Sequence, residues 1–218
     1  SMELYAYADK LAAEKRLNPT DDIISVLLNA EVEGESLTDL EFDLFFLLLA
    51  VAGNETTRNL IAHGMLALIE NPGERAKLLD DPSLLPGATE EMLRWGTPVM
   101  HFRRTATSAT EIGGHPIAAG DKVVIWYISA NRDPEVFNDP YRFDITRSPN
   151  DHVAFGGGGP HFCLGSNLAK LEIRVMFEEL LLRLPDMELD GPVQRLRSNF
   201  INGIKHMPVT FSKSSKRR

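Results

Sequence analysis

Cysteine is nearly absent: Cys163 is the only one in 218 residues, which excludes an internal disulfide. Such usage fits a reducing, cytoplasmic setting and makes one thiol near several histidines a candidate nucleophile or metal ligand. Long apolar runs are missing as well. The longest, Leu44 to Ala52, lies between Asp43 and Glu55 and is too short to cross a bilayer. It reads as buried helix, and no membrane span is expected. Basic clusters are confined to the tail from Lys213 to Arg218, and the net charge is -8. Nucleic-acid binding needs clustered cations to displace counterions, so that class is excluded. The tail reads as a solvated terminus, and Ser1-Met2 as an expression scar. No secretion signal, repeat or low-complexity linker is visible. A hydrophobic content of 43% is ordinary for a globular chain of one large or two small domains.

The remaining pattern is mostly helical. Apolar spacing predicts a helix over Glu3 to Arg16, broken at Asn18-Pro19. A second opens at Asp21-Asp22, carries Ile23, Ile24, Val26, Leu27 and Leu28, and ends at Glu33-Gly34-Glu35. Thr38 and Glu41 form a T-x-x-E capping box. The helix they start can run to Asn71-Pro72, about thirty residues, well above the usual length. Its middle is apolar nearly all round yet contains the poor helix formers Ala52-Gly53-Asn54-Glu55-Thr56-Thr57. A local conflict of that kind marks a place for function.

Shorter helices are expected over Pro72 to Leu79 and Pro86 to Trp95. Strands follow at Phe102 to Thr107, Glu111 to Gly113, Pro116 to Ile117 and Lys122 to Trp126, with a turn at Ala119-Gly120-Asp121. Asn131 to Asn150 reads as irregular, Leu164 to Leu184 as a strong helix, and Ser198 to Phe211 as a hairpin. The fold class is therefore α+β, mainly helical.

The segment Phe155-Gly156-Gly157-Gly158-Gly159-Pro160-His161-Phe162-Cys163-Leu164-Gly165 carries the cysteine. Its glycines allow positive φ and close approach to a flat ligand. A thiol at the start of the following helix meets unpaired N–H groups and the helix dipole, which favour the thiolate. A phosphate cradle is disfavoured, because no Lys-Ser/Thr follows and no strict G-x-G-x-x-G is present. A redox or nucleophilic cysteine lacks a resolving partner. A buried, inert cysteine after a flexible loop stays open on these residues alone.

This loop resembles the haem-binding signature of the cytochromes P-450. Three further motifs occur in that family's order: Ala52-Gly53-Asn54-Glu55-Thr56-Thr57, Glu91-Met92-Leu93-Arg94 and Phe137-Asn138-Asp139-Pro140-Tyr141-Arg142-Phe143. The likeness covers essentially the whole chain, residues 1–218, as the C-terminal haem-binding portion of one cytochrome P-450 domain. Phe155 stands eight residues before Cys163, one more than in many members, which predicts a one-residue bulge. The glycine-rich loop, Asn202-Gly203-Ile204-Lys205 and Ser129-Ala130-Asn131 are similar to soluble bacterial members that oxidise sterol side chains and methyl-branched lipids.

The resemblance implies haem b (iron-protoporphyrin IX), with Cys163 as the thiolate ligand of the iron, whose electron push favours O–O cleavage. It implies haem contacts from Ala52, Phe155 and Gly159, and propionate contacts from Arg104 and His161, with His101 and Arg103 as neighbours competing with Arg104. Glu55 and Thr56 become the acid–alcohol pair that delivers protons. The Thr56 hydroxyl can also bond the Ala52 carbonyl and, with Gly53, loosen the helix. Glu91, Arg94 and Arg142 become a structural triad; Leu48, Val51, Val99, Met100 and Ile201 match substrate-facing positions. His63, His115, His152 and His206 read as structural or surface residues.

The implied activity is monooxygenation of a lipid or sterol C–H bond with electrons from a ferredoxin-type donor. A peroxide-driven member is the second enzyme reading, disfavoured by Glu55-Thr56. A haem-free, inactive, associating module is the third. Family members are about twice this length, so an absent N-terminal half is expected to leave apolar surface exposed and to favour self-association.

Overall fold

Two apolar clusters, each joining residues from several helices, organise the chain. The computed structural model describes residues 2–212. Ser1 and the basic tail from Lys213 to Arg218 lie outside the described residues. Two compact units are present, residues 1–55 and 56–218. The long helix α3 (Asp39–Glu70) contributes residues to both.

In the first unit, α1 (Met2–Leu17) and α2 (Ile23–Leu28) share a core of Ala8, Ala12, Ile24 and Phe42. The small alanines let the helices approach closely. Asp22 caps α2, its Oδ1 accepting the N–H groups of Ile24 and Ser25 at 2.9 Å each. The carboxyl of Asp22 lies well below the usual range, chiefly through the Lys15 ammonium 2.6 Å away. The capping box at α3 forms as read: Thr38 N–H meets Glu41 Oε2 at 2.9 Å, and Glu41 N–H meets Thr38 Oγ1 at 3.3 Å.

One expectation fails in this unit. Glu33-Gly34-Glu35 does not simply end a helix; α2 stops at Leu28, and β1 (Glu31–Val32) pairs antiparallel with β2 (Glu35–Ser36). Glu33 and Gly34 form the two-residue turn, at φ 55° and 88°. Positive φ at both central positions is what a tight hairpin requires.

The second unit packs the end of α3 against α4 (Pro72–Asp80), α5 (Leu85–Gly96) and α7 (Ser166–Arg183). A 3₁₀ turn at Pro82–Leu84 precedes α5. Leu60, Met65, Leu68, Met92, Leu93, Ile173 and Phe177 are all within a few per cent of full burial. At Gly64 these helices approach closely. A Cβ there would sit 2.8 Å from both Met92 Sδ and Phe177 Cζ.

Among the described residues the strands form two-stranded ladders only. β3 (His101–Thr105) pairs with β6 (Lys122–Trp126), and β4 (Thr110–Ile112) with β5 (His115–Ile117), close to the sequence reading. A short helix α6 (Tyr127–Ala130), not anticipated, follows β6. Residues 131–150 hold no helix or strand, as expected.

Two further corrections concern the C-terminal third. α7 begins at Ser166, capped by Gly165, two residues later than the expected Leu164, so Cys163 stands three residues before the helix. The terminal segment is not one hairpin. β9 (Ile204–His206) pairs back with β8 (Gln194–Arg195), and β10 (Val209–Thr210) with β7 (Glu188–Leu189). Local turn signals around Asn202 suggested a self-contained hairpin, but each arm finds its partner upstream. α3, finally, stays α-helical through Ala52 to Thr57. Gly53 costs a helix only about 1 kcal/mol, which flanking apolar turns can absorb.

Substituting Gly64→Ala should destabilise the chain by about 1–3 kcal/mol through overpacking. Denaturant unfolding measures this, and a variant within experimental error of the parent would contradict the packing described.

Candidate functional site

Glu91 and Arg94 lie one turn apart on α5, and both are 0% exposed. Such a pair survives in a dry interior only if its remaining lone pairs and protons find partners. Here they do. Arg94 donates from Nε to Glu91 Oε2 (2.8 Å) and from Nη2 to Oε1 (2.7 Å). Its other donors reach the carbonyls of Asn131 (2.8 Å), Pro140 (2.8 Å) and Arg142 (3.1 Å). Glu91 also accepts from the Asp144 N–H (2.9 Å), Asn150 Nδ2 (3.1 Å) and Arg147 Nε (3.2 Å).

The third member of this cluster is therefore Arg147, not Arg142. The Arg142 side chain is 61% exposed, and its closest acid is Asp144 at 3.9 Å. Arg142 contributes its carbonyl instead, to Arg94 and to Arg147 Nη2 (2.9 Å). Arg147 buries all but 9% of its side chain against Glu91 and also holds the Asn138 carbonyl at 2.6 Å. Sequence reading missed it because it lies outside the aromatic-flanked stretch that drew attention to Arg142.

Glu90, next along α5, faces a second group. It pairs with His152 Nε2 at 3.0 Å and Lys170 Nζ at 2.8 Å. Burial pushes its carboxyl upward, but the bonds from His152 and Lys170 outweigh this and hold it below the usual range. His152 Nδ1 takes the Ala154 N–H (3.3 Å), and its ring stands 6.2 Å from that of Phe155. Lys170 lies over the Phe155 ring at 5.6 Å. Expected as a structural histidine, His152 thus braces the start of the glycine loop.

The loop itself closes on Cys163. The Cys163 N–H donates to the Phe155 carbonyl (3.0 Å), and the Cys163 carbonyl accepts Ser166 N–H at the start of α7 (3.2 Å). Gly156, Gly158 and Gly159 adopt φ of 94°, 96° and 77°, open to glycine at little cost. A Cβ added at Gly157, Gly158 or Gly159 would meet nothing within 4 Å, so the loop's outer side is open space. Phe162 and Leu164 stand exposed around it at 48% and 75%.

These features fit a flat, apolar, metal-bearing group. Cys163 offers one soft donor. Among the described residues no three His, Cys, Asp or Glu side chains gather as a metal site. A metal at Cys163 would thus be one that brings its other in-plane ligands with it, as a porphyrin does.

The other predicted positions separate into those brought together and those that are not. Val99 bridges Ile201, Met100 N–H donates to the Phe200 carbonyl (2.9 Å), and these three substrate candidates share one corner. Leu48 and Val51 lie exposed on α3, in the first unit. Ala52 is exposed, and Glu55 and Thr56 are half-buried on the same helix. Arg104 lies on β3 opposite Val123, on the alternate face from His101 and Arg103. The His101 ring is committed to Trp126 (4.6 Å) and Phe200 (5.8 Å). His161 is exposed in the loop. His63 is buried against the Asn202 carbonyl (2.9 Å), and burial lowers its pKa, as a structural residue.

Residues 5–193 match the family model for cytochrome P450. The chain is 53% identical over 213 residues to the methyl-branched lipid omega-hydroxylase of Mycobacterium tuberculosis, covering 97% of this chain and 50% of that protein. To the steroid C26-monooxygenase of Mycolicibacterium smegmatis it is 47% identical over 216 residues, covering 99% and 50%. Among solved structures, a Mycobacterium marinum cytochrome P450 in complex with pseudoionone superposes with a TM-score of 0.92 at 51% identity, covering 96% of this chain and 51% of that one. A Bacillus megaterium enzyme in complex with testosterone gives 0.90 at 42%, covering 95% and 57%. The chain spans about half the length of the curated relatives it matches.

The two arginines give a direct test of the buried cluster. Arg147→Leu should cost about 3–5 kcal/mol, since it leaves part of a buried carboxylate uncompensated. Arg142→Leu, which keeps the carbonyl, should stay within about 0.5 kcal/mol of the parent. Urea unfolding of both decides it, and equal losses would overturn the assignment.

Proposed function

The chain belongs to the cytochrome P450 family, and we propose that it is the C-terminal, haem-binding part, over residues 1–218, of a haem-thiolate monooxygenase acting on a lipid or sterol. The observation that carries this reading is the glycine loop closed on Cys163 and braced from α5. The relatives named for methyl-branched lipid and steroid oxidation support the substrate class. When bound, haem b supplies the iron at which dioxygen is reduced and made reactive toward a C–H bond.

The residues of this chain hold and serve that group. Cys163 would hold the iron through its thiolate, with N–H groups of the turn after it available to the sulfur. Phe155 and Gly159 would contact the haem from the glycine loop, and Ala52 is proposed as a further haem contact from α3. Arg104 and His161 bind the propionates by charge-assisted bonds. Glu55 and Thr56 would serve as the acid–alcohol pair that delivers protons; Val99, Met100 and Ile201 would exclude water and orient the substrate, and Leu48 and Val51 are proposed as further substrate-facing residues. Electrons come from a ferredoxin-type protein, in the cytoplasm. Among the described residues no helix is long and apolar enough to cross a membrane.

A second reading has support in one observation. Leu40, Leu44, Leu48 and Val51 expose 67%, 49%, 58% and 57% of their surface along one helix. A stripe of that kind favours self-association, and a chain holding no haem would act only as an associating module.

One spectrum separates the two. Reconstituted with haemin, reduced and exposed to carbon monoxide, the chain should show the red-shifted Soret band of thiolate ligation. Cys163→Ser should lose that shift, whereas Thr56→Ala should keep it, because its task is proton transfer. No haem band in the parent, or the same band in Cys163→Ser, would overturn the haem-thiolate reading.

A further inference from the structure

We infer that Asn131 is a positioning residue for Cys163, fastening the peptide before the glycine loop to the buried Glu91–Arg94 pair. Asn131 is 0% exposed, and every polar group it owns is engaged. Its N–H donates to the Tyr127 carbonyl (2.9 Å), and its carbonyl accepts from Arg94 Nη1 (2.8 Å). Its side chain donates from Nδ2 to Thr97 Oγ1 (2.9 Å) and accepts at Oδ1 from the Val153 N–H (2.8 Å).

Thr97 closes the ring. It caps α5 in the left-handed region at φ 34°, is 0% exposed, and its hydroxyl donates to the Arg94 carbonyl at 2.8 Å. Arg94, Thr97 and Asn131 are thus bonded in a circle. The orientation of the amide follows from the donors around it. A backbone N–H can only donate, so the atom facing Val153 must be oxygen. The Thr97 proton is spent on Arg94, so Thr97 must receive from nitrogen. A carboxylate at 131 would serve Val153 equally well but would set a second acceptor against Thr97. That hydroxyl would then have to abandon either the carboxylate or the Arg94 carbonyl, in a dry site where an unmade bond is costly.

The far end of this connection is the cysteine. The Val153 carbonyl accepts the Gly156 N–H (2.9 Å), forming a tight turn, and the Phe155 carbonyl within that turn accepts the Cys163 N–H (3.0 Å). Residues 153–156 are therefore pinned by Asn131 on one side and hold the cysteine's amide on the other. Beyond the turn, the Gly159 carbonyl accepts the Phe162 N–H (3.0 Å), a bond internal to the loop, so the loop takes its place from this turn. The functional meaning rests on Cys163 as the haem ligand; the brace itself does not.

Because Cys163 is the only thiol, its alkylation by iodoacetamide in the folded chain reads the loop without haem. Asn131→Asp and Thr97→Val should each raise that rate about tenfold, as expected for a buried hydrogen bond lost or left unsatisfied. Thr97→Ser, which restores the hydroxyl, and Gly64→Ala, which overpacks α3 against Met92 and Phe177 but removes no bond of Thr97 or Asn131, should stay within about twofold of the parent. If Asn131→Asp does not fold, the Thr97 pair decides. Rates for Thr97→Val and Asn131→Asp equal to the parent, or matched by Gly64→Ala, would overturn the brace. The reduced, carbon monoxide-bound spectrum of the parent is recorded alongside. Its failure to show thiolate ligation would overturn the haem reading, while the alkylation rates still decide the role of Asn131.

Discussion

A carboxylate without access to water lies at the centre of this structure, and Glu91 stays there because six polar contacts converge on it. Two come from the Arg94 fork, and the others from Arg147, the Asp144 amide and the Asn150 amide group, with Arg147 Nε shared between both oxygens. Burying either charge alone would cost several kcal/mol, so neither residue is tolerable without the other. The arrangement does more than cancel charge. Arg94 spends its remaining donors on three carbonyls from residues 131, 140 and 142, and so gathers a long irregular segment around α5. Residues 131–150 have no ladder or helix of their own, and this is what gives them one conformation.

That division of labour suits the glycine loop. Four consecutive glycines confer freedom to approach a flat group closely, but they also raise the entropy lost when the loop is ordered. Rigidity has to come from outside. α5 supplies it along two paths, one through Glu90, His152 and the Phe155 ring, the other through Arg94, Asn131 and Val153. Both converge on the turn whose carbonyl holds the Cys163 amide. A positioned thiol at the threshold of α7 is the result, with apolar side chains and open space beside it.

Much of this was legible in the sequence. The capping box located the start of α3, the helices α4, α5 and α7 were expected close to where they lie, and the short strands expected after Val99 match β3 to β6 within one or two residues. The Cys163 loop was recognisable from its glycines and from three other motifs in order. What stayed hidden depended on distant partners. Nothing local announces that β9 and β10 return to β8 and β7, because each strand is only two or three residues long. The small hairpin at Glu31 to Ser36 was read as a helix stop, since Glu-Gly serves both purposes. Arg147 was missed for Arg142 because the choice between them is made by side-chain geometry in a segment without periodicity. Asn131 gave no sign of burial, being a polar residue after a helix of four.

The central claim is that the buried cluster on α5 holds the cysteine loop, and amide hydrogen exchange tests it most directly. In the parent, the amides of Val153 and Cys163 should exchange as slowly as those in the middle of α5. In Arg147→Leu, both should speed up together while the α7 core around Ile173 and Phe177 keeps its protection. Fast exchange at Cys163 already in the parent, or protection there unchanged by loss of Arg147, would contradict the account.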